Sequence, residues 1–403
     1  MLEQVVRVIR IGLAAGLTLL VLGCSGSGAP TAAPTASGAA SPAFPAGAST
    51  ATTIPLSSPA AASPVAVASP SPVAVHDEDV TFTSGPDTLY GSFMPPRPAP
   101  SGKVPAALII SGSGPTDRNG NDAQFPVMDA NLNFARTLAA AGIASFRYDK
   151  VTSGKTGLAT HPGGQGVDFN LFLQEARDAY DLLASRPEVD PQRIIILGHS
   201  EGGLFALVLA QQLQGTAHPP HALVLAAPLS VRYLDLIKRQ LDQQYQAAVS
   251  AGQVSSEQAT AATQELEQIV TSVRQDGKFP ATITTPALQT LFNPINQVFF
   301  LQTDKYDPAA IAAALPPTLP VLILHGEKDQ QVDTADIDHL MQGFQQAGNQ
   351  HVVRVELPNV DHIFKVVTGT PNPARDYADP SLPFSPEAAA RLTAFVRQYV
   401  ASQ

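Results

Sequence analysis

The aliphatic run Ile194-Ile195-Ile196-Leu197 leads directly into Gly198-His199-Ser200-Glu201-Gly202-Gly203. A serine with glycine two positions to either side, behind four residues of strand character, belongs at the tip of a sharp strand-to-helix turn. Larger side chains at the flanking positions would clash where the backbone folds back. A serine alcohol is inert at neutral pH until a base takes its proton and a third group orients that base. Downstream, VLILHGEKDQQV places Asp329 just past one strand-like run, and VELPNVDHIF places His362 just past the next. Ser200 as nucleophile, His362 as base and Asp329 as orienting acid would together perform acyl transfer through a covalent intermediate. Asp361 is a rival acid, disfavoured because adjacent side chains seldom reach each other's ring. His199 is expected to pack beside the nucleophile, and His325 to support the Asp329 loop.

Acyl transfer also needs two backbone N–H groups aimed at the developing negative charge. One is expected from Glu201, the residue after the nucleophile. The other is expected from the loop after AALII (106–110), with Ser113 the first candidate and Gly114 the alternative. Gly112 and Gly114 let that loop approach closely.

The elements that would position these groups alternate along the chain. Strand-length apolar runs fall at 106–114, 142–149, 193–200, 222–228, 320–326 and 351–357, after an alternating hairpin at 79–96. Helical patterns lie between and after them, at 130–141, 168–185, 203–214, 337–347 and 386–401. This order implies an α/β fold, a mostly parallel central sheet with helices on both faces. Between Pro228 and Pro320 there is no strand candidate. Leu234, Ile237, Leu241, Tyr245 and Val249 follow helical spacing there, as do Ala259, Ala262, Leu266, Ile269 and Val273. Two helices of an inserted cap over 229–316 are expected.

The first residues read differently. Arg7 and Arg10 precede a largely apolar run over 11–22 and then Gly23-Cys24. Twelve residues are short for a membrane span and suit a secretory signal core. VLGC resembles the lipobox of bacterial lipoproteins, which implies a signal peptide over 1–24 with Cys24 as the lipidation site. An ordinary signal peptide with an incidental cysteine is the alternative. Residues 25–78, rich in Ala, Pro, Ser and Thr, are expected to form a disordered tether, because they cannot bury enough apolar surface to offset chain entropy. The protein would then sit on the outer face of a bacterial membrane through an N-terminal lipid anchor. Cys24 is the chain's one cysteine, so no intramolecular disulfide can form. A net charge of −10 and a pI near 5.3 argue against a nucleic-acid partner.

Several other signals fail on their own spacing. In TSGKT (152–156) the first glycine of a phosphate-binding loop falls on Asp149, and in DRNGND (117–122) the sixth position of a calcium loop is Asp122 and the twelfth is Met128. His218 and His221 in HPPH are expected on a surface loop. No metal site is expected.

Residues 79–403 resemble the α/β-hydrolase superfamily, in which nucleophile, acid and histidine occur in the order of Ser200, Asp329 and His362. The stretch G-E-K-D-x-x-V (326–332) is similar to its acid loop, which implies Asp329 as the acid and Glu327 as a surface neighbour. More narrowly, SGSGPTDRNGN (111–121), FRYDK (146–150), GHSEG (198–202) and YDP (306–308) resemble a bacterial esterase subgroup whose oxyanion loop reads G-S-G-P-x-D-R-D-G-N. Asn119 departs from that loop's Asp, and Val151-Thr152 replace an Arg-Gly. The resemblance implies a serine hydrolase acting on a small-molecule carboxylic ester through an acyl-enzyme, without cofactor. A cap rich in Gln, Ala and Thr, in a chain with no tryptophan, is poorly suited to spreading on a lipid interface, so short to medium acyl chains are expected. The alternatives are a serine peptidase or thioesterase on the same triad, or a non-catalytic binding lipoprotein. A peptidase recognising a free amino terminus would need a pocket carboxylate, which Glu201 or a cap residue could supply. Oligomeric state is not legible.

Overall fold

A computed structural model of the protein describes residues 77–98 and 102–401. The signal segment, Cys24 and the tether as far as residue 76 lie outside the described residues. Among those described, eight strands form one sheet: β1 (Glu78–Ser84), β2 (Asp87–Met94), β3 (Val104–Ile110), β4 (Ala144–Asp149), β5 (Val189–His199), β6 (Ala222–Ala226), β7 (Val321–Gly326) and β8 (Val352–Leu357). Their spatial order is β1-β2-β4-β3-β5-β6-β7-β8. The pairs β1–β2 and β2–β4 are antiparallel, and every other neighbouring pair is parallel. This is the mostly parallel α/β sheet that the alternation of strand and helix implies, in the α/β-hydrolase arrangement that the resemblance implies.

The strand sequences follow from their places in the sheet. In β3, β6 and β7 every residue is buried, because helices cover both faces, and such strands read as continuous apolar runs. Ala106, Leu108, Ile110, Ile194 and Ile196 face one core with α2 (Phe169–Ser185), α3 (Glu201–Gln212) and a later helix, Thr334–Gln346. Their neighbours Ala107, Ile109, Ile195 and Leu197 face the other, with α1 (Ala130–Ala140) and the helix Pro386–Val396. The edge strand β8 instead has half-buried Val352, Arg354 and Glu356 alternating with buried Val355 and Leu357, and Val353 is exposed. Helix α3 begins at Glu201 rather than 203, directly on the serine, and the last helix gives way to a π turn at Arg397–Ala401.

Between β6 and β7 the chain forms five helices where the apolar spacing predicted two. The two expected ones are α4 (Tyr233–Ser250) and α5 (Ser256–Asp276); α6 (Pro286–Leu291), α7 (Pro294–Thr303) and α8 (Pro308–Ala313) follow. These three are too short to display an apolar stripe. Each opens on a proline, whose missing N–H costs nothing at the first helical position. Asn293 and Asp307 cap the backbone N–H groups that follow them. α5 carries a capping box from Ser255 and Gln258 and ends on Gly277 at φ 66°.

Asp304, at the end of α7, ties this insertion together. Its buried carboxylate accepts from Arg232 at 2.9 Å, from Arg274 at 3.0 Å and from the Leu234 N–H at 2.9 Å. The start of α4 and the end of α5 are thus pinned to α7. Asp304→Ala strands two arginines on a partly buried site and is expected to cost about 3 kcal/mol. Urea denaturation checks this, and an unchanged midpoint would contradict the assignment.

Candidate active site

Ser200 lies between β5 and α3 with φ 56° and ψ −123°, a conformation costly for any residue with a side chain. Neighbouring backbone holds it there. The Ser200 N–H donates to the Ala226 carbonyl at 2.9 Å, and the Ser200 carbonyl accepts from Gly203 and Leu229, each at 2.9 Å. A Cβ on Gly198 would stand 2.1 Å from the Gly202 carbonyl oxygen, and one on Gly202 would stand 2.3 Å from that of Ile110. The glycines on both sides of the serine are therefore set by how closely the turn passes itself and the end of β3.

Asp329 and His362 meet across the loops that follow β7 and β8. Asp329 Oδ2 is 2.8 Å from His362 Nδ1, while Oδ1 accepts from the Gln331 and Val332 N–H groups at 2.7 and 3.0 Å. Burial alone would raise the Asp329 carboxyl, but the charge and hydrogen bond of His362 hold it below its ordinary value. A carboxylate held at Nδ1 fixes the ring's orientation and leaves Nε2 as the nitrogen that can accept a proton. Gly326 is required here as well, since a Cβ would fall 2.2 Å from the Val360 carbonyl. Asp361 is spent on its own loop, accepting from Ile363 and Lys365 N–H groups at 3.1 and 2.8 Å. Burial pushes its carboxyl up to about 7.

His199 links the two halves of the site. Its Nε2 donates to the His362 carbonyl at 2.9 Å, and the two ring centroids are 5.0 Å apart. Burial, followed by the charge of His362, holds the His199 imidazole down at about 3, so it acts as a neutral donor that anchors the His362 backbone. His325 bonds Glu356 at 2.8 Å and the Val332 carbonyl at 3.0 Å, which supports the acid loop.

Ser113, Ser200 and Glu201 line one cavity with Leu229, Tyr233, Leu236, Gln240, Gln331 and Val332. It encloses about 10 Å³, because the first turns of α4 close over the serine. Gly114 adopts φ 70° in the loop that brings Ser113 here. A wider depression of about 530 Å³ on α5 is lined by polar side chains of that helix and brings no reactive groups together. The cap residues of the small cavity could not be read from the sequence, since their helical spacing does not say which face meets the sheet.

Beneath the cavity lies a buried charged group around Lys150, Glu175 and Glu201. Burial pushes the Glu201 carboxyl up to about 6 against the pull of Lys150. Burial also pushes Glu175 up to about 8, although it accepts from the Val151 N–H at 3.2 Å and lies near Lys150. Sequence reasoning missed Glu175 altogether: it sits on the core stripe of α2, and only a carboxylate at an otherwise apolar helical position signals it.

The discarded motifs have structural work. The turn at 152–156 wraps the chain's own carboxylate, with the Lys155 N–H donating to Asp149 at 2.9 Å and Gly154 at φ 46°. Thr152 adopts φ 83° at a position where the resembling subgroup has glycine. Asp117 caps its own loop through the N–H groups of Asn119 and Asn121. His218 and His221 bond Gln192 and the Tyr399 carbonyl.

Residues 128–362 match the hydrolase family described as serine aminopeptidase, S33. A protein of Thermotoga maritima named Esterase EstD is 24% identical over 292 residues, or 72% of this chain and 61% of that protein. The chain thus spans less than two thirds of that relative's length. Among solved structures, an esterase of Pyrococcus furiosus superposes with a TM-score of 0.50 at 14% identity, over 81% of this chain and 92% of that one. An α/β hydrolase from Penicillium sp. sh18 gives 0.49 at 17% identity, over 81% and 100%. The Pyrococcus likeness speaks for the fold.

Glu175 makes stability depend on pH. The folded protein keeps this proton up to about pH 8, whereas the unfolded chain releases it near the ordinary value of 4.5. The stability it contributes is present below that lower value and is lost as pH rises through the higher one. Glu175→Gln keeps an acceptor for Val151 and has no such loss. The melting temperature of the wild type is therefore expected to fall relative to the variant between about pH 5 and pH 8. A difference constant across that range would contradict the burial argument.

Proposed function

The chain belongs to the serine aminopeptidase S33 family of hydrolases, and from that premise we propose that it is a carboxylesterase working through an acyl-enzyme. The observation that carries this reading is the 2.8 Å contact between Asp329 and His362, anchored by His199 beside a serine strained into a strand-to-helix turn. Ser200 Oγ attacks the ester carbonyl while His362 Nε2 takes its proton. The carbonyl π electrons move onto oxygen, facing the N–H groups of Glu201 and Ser113. Collapse of this intermediate breaks the ester bond, and the alcohol leaves with the proton returned by His362. Water, activated by the same ring, then releases the acid. The name of the Thermotoga relative supports esters over other acyl compounds.

The apolar members of the cavity wall, Leu229, Tyr233, Leu236 and Val332, favour an acyl chain there, and its small volume favours a short one. Substrate entry requires the first turns of α4 to move outward. Lipidation at Cys24 belongs to the same proposal and would hold the enzyme at the outer face of a bacterial membrane.

A second reading, an aminopeptidase, is favoured by one observation. The Glu201 carboxyl is buried in the cavity wall and its Oε1 has no hydrogen-bond partner among the described residues, so a substrate ammonium would suit it.

Ser200→Ala and His362→Ala are each expected to lower kcat on a chromogenic acetate ester by about 10⁴-fold or more, with Asp329→Asn less severe. Turnover retained in Ser200→Ala would overturn the assignment. Across a series from acetate to palmitate esters, with matched aminoacyl anilides, rates are expected to be highest for short to medium acyl esters. A rate that rises when the substrate forms an interface would make this a lipase, and faster turnover of the anilides would select the aminopeptidase.

A further inference from the structure

Lys150 closes the FRYDK stretch, one residue past β4, and is buried. Its ammonium donates to the Gly112 carbonyl, and its charge lies 5.3 Å from the centre of the Phe172 ring. Gly112 passes directly against the nucleophile, since a Cβ there would be 3.1 Å from the Ser200 Cβ. The peptide that carries the Gly112 carbonyl also carries the Ser113 N–H, and in a trans peptide these two groups point to opposite edges. Ser113 in turn lines the cavity with Ser200 and Glu201. Holding one edge of this peptide therefore sets the direction of the other.

The rest of the β4 end grips the same loop. Asp149 receives the Arg118 N–H and guanidinium, each at 2.7 Å, and Arg147 Nε donates to Asn119 at 3.0 Å. Thr116 closes the loop on itself by donating to the Ser113 carbonyl at 2.7 Å. FRYDK and SGSGPTDRNG are two halves of one clamp.

We propose that Lys150 is the positioning residue of the oxyanion hole, holding the Gly112 carbonyl so that the Ser113 N–H faces the oxygen on which negative charge develops. The inference rests on the acyl-transfer reading above. A donor held this way also polarises the peptide, which strengthens its N–H as a donor in a site sheltered from water. Lysine suits the position because the Glu201 carboxylate lies near enough to oppose the loss of its proton, which burial favours.

The test compares wild-type full-chain protein with Lys150→Met and Lys150→Arg on a chromogenic acetate ester, and measures inhibition by an aryl trifluoromethyl ketone. Ser200 Oγ adds to the carbonyl of that ketone and leaves a tetrahedral oxyanion. Lys150→Met is expected to lower kcat about 10²-fold, the loss typical for one oxyanion donor, with KM within about threefold. The ketone's Ki should rise by the same factor by which kcat/KM falls, and Lys150→Arg should recover at least about tenfold of the loss. Should the methionine variant not fold, Lys150→Gln serves the same comparison. A kcat within about threefold of wild type, or a lower kcat with unchanged ketone affinity, overturns the positioning role and leaves Lys150 as charge balance for the buried glutamates. Wild-type protein that turns over no ester would instead overturn the acyl-transfer reading.

Discussion

The site depends on a close approach of backbone to backbone. The Ile110 carbonyl at the end of β3 comes so near the turn after β5 that residue 202 has no room for a side chain, and the turn doubles on itself so tightly that residue 198 has none either. Ser200 is forced to a positive φ at the apex, where a side chain cannot settle back into the turn. The strain this carries is offset by packing all around it. α3 is buried from Glu201 to Ala210, so the turn cannot relax without lifting a helix off the sheet. That is how a local distortion costing about 1–3 kcal/mol is sustained.

From this point the site grows outward by anchoring rather than by contact with solvent. His199 takes up the His362 backbone, Gly326 lets the acid loop close on Val360, and Val332 both orients Asp329 and bonds His325. On the opposite side, the β4 end holds the loop after β3 through Arg147, Asp149 and Lys150. The base of the site is thus tied down from both sides by hydrogen bonds, and α4 forms its roof over the cavity. The buried acids below it keep protons at neutral pH or are held by Lys150, so the interior carries less charge than its composition suggests.

Much of this architecture was legible because β7 and the last half of β5 are uninterrupted buried runs, and the edge strand β8 still carries apolar residues at alternate positions. Such runs end where the polar and glycine residues begin, and β5, β7 and β8 end just short of Ser200, Asp329 and His362. The helices α6, α7 and α8 were not legible by periodicity, since six to ten residues make too few turns to show a stripe. Their signals were local ones, the Asn293-Pro294 and Asp307-Pro308 steps. Lys150 and Gly112 are 38 residues apart, and no local pattern announces their bond. The resemblance marked both stretches without saying that one holds the other. Likewise, the spacing of α4 identified an apolar face at Leu234, Ile237 and Leu241, whereas Tyr233, Leu236 and Gln240 on the adjoining face reach the cavity.

The central claim is that the strained turn makes one serine, out of all those in the chain, a nucleophile. Peptide mass mapping after reaction with a fluorophosphonate tests it most directly, because only an activated alcohol is phosphonylated at an appreciable rate. The account predicts a single adduct, on Ser200, which is lost when His362 is replaced by alanine. No adduct, an adduct on another serine, or labelling of Ser200 that persists without His362 would contradict it.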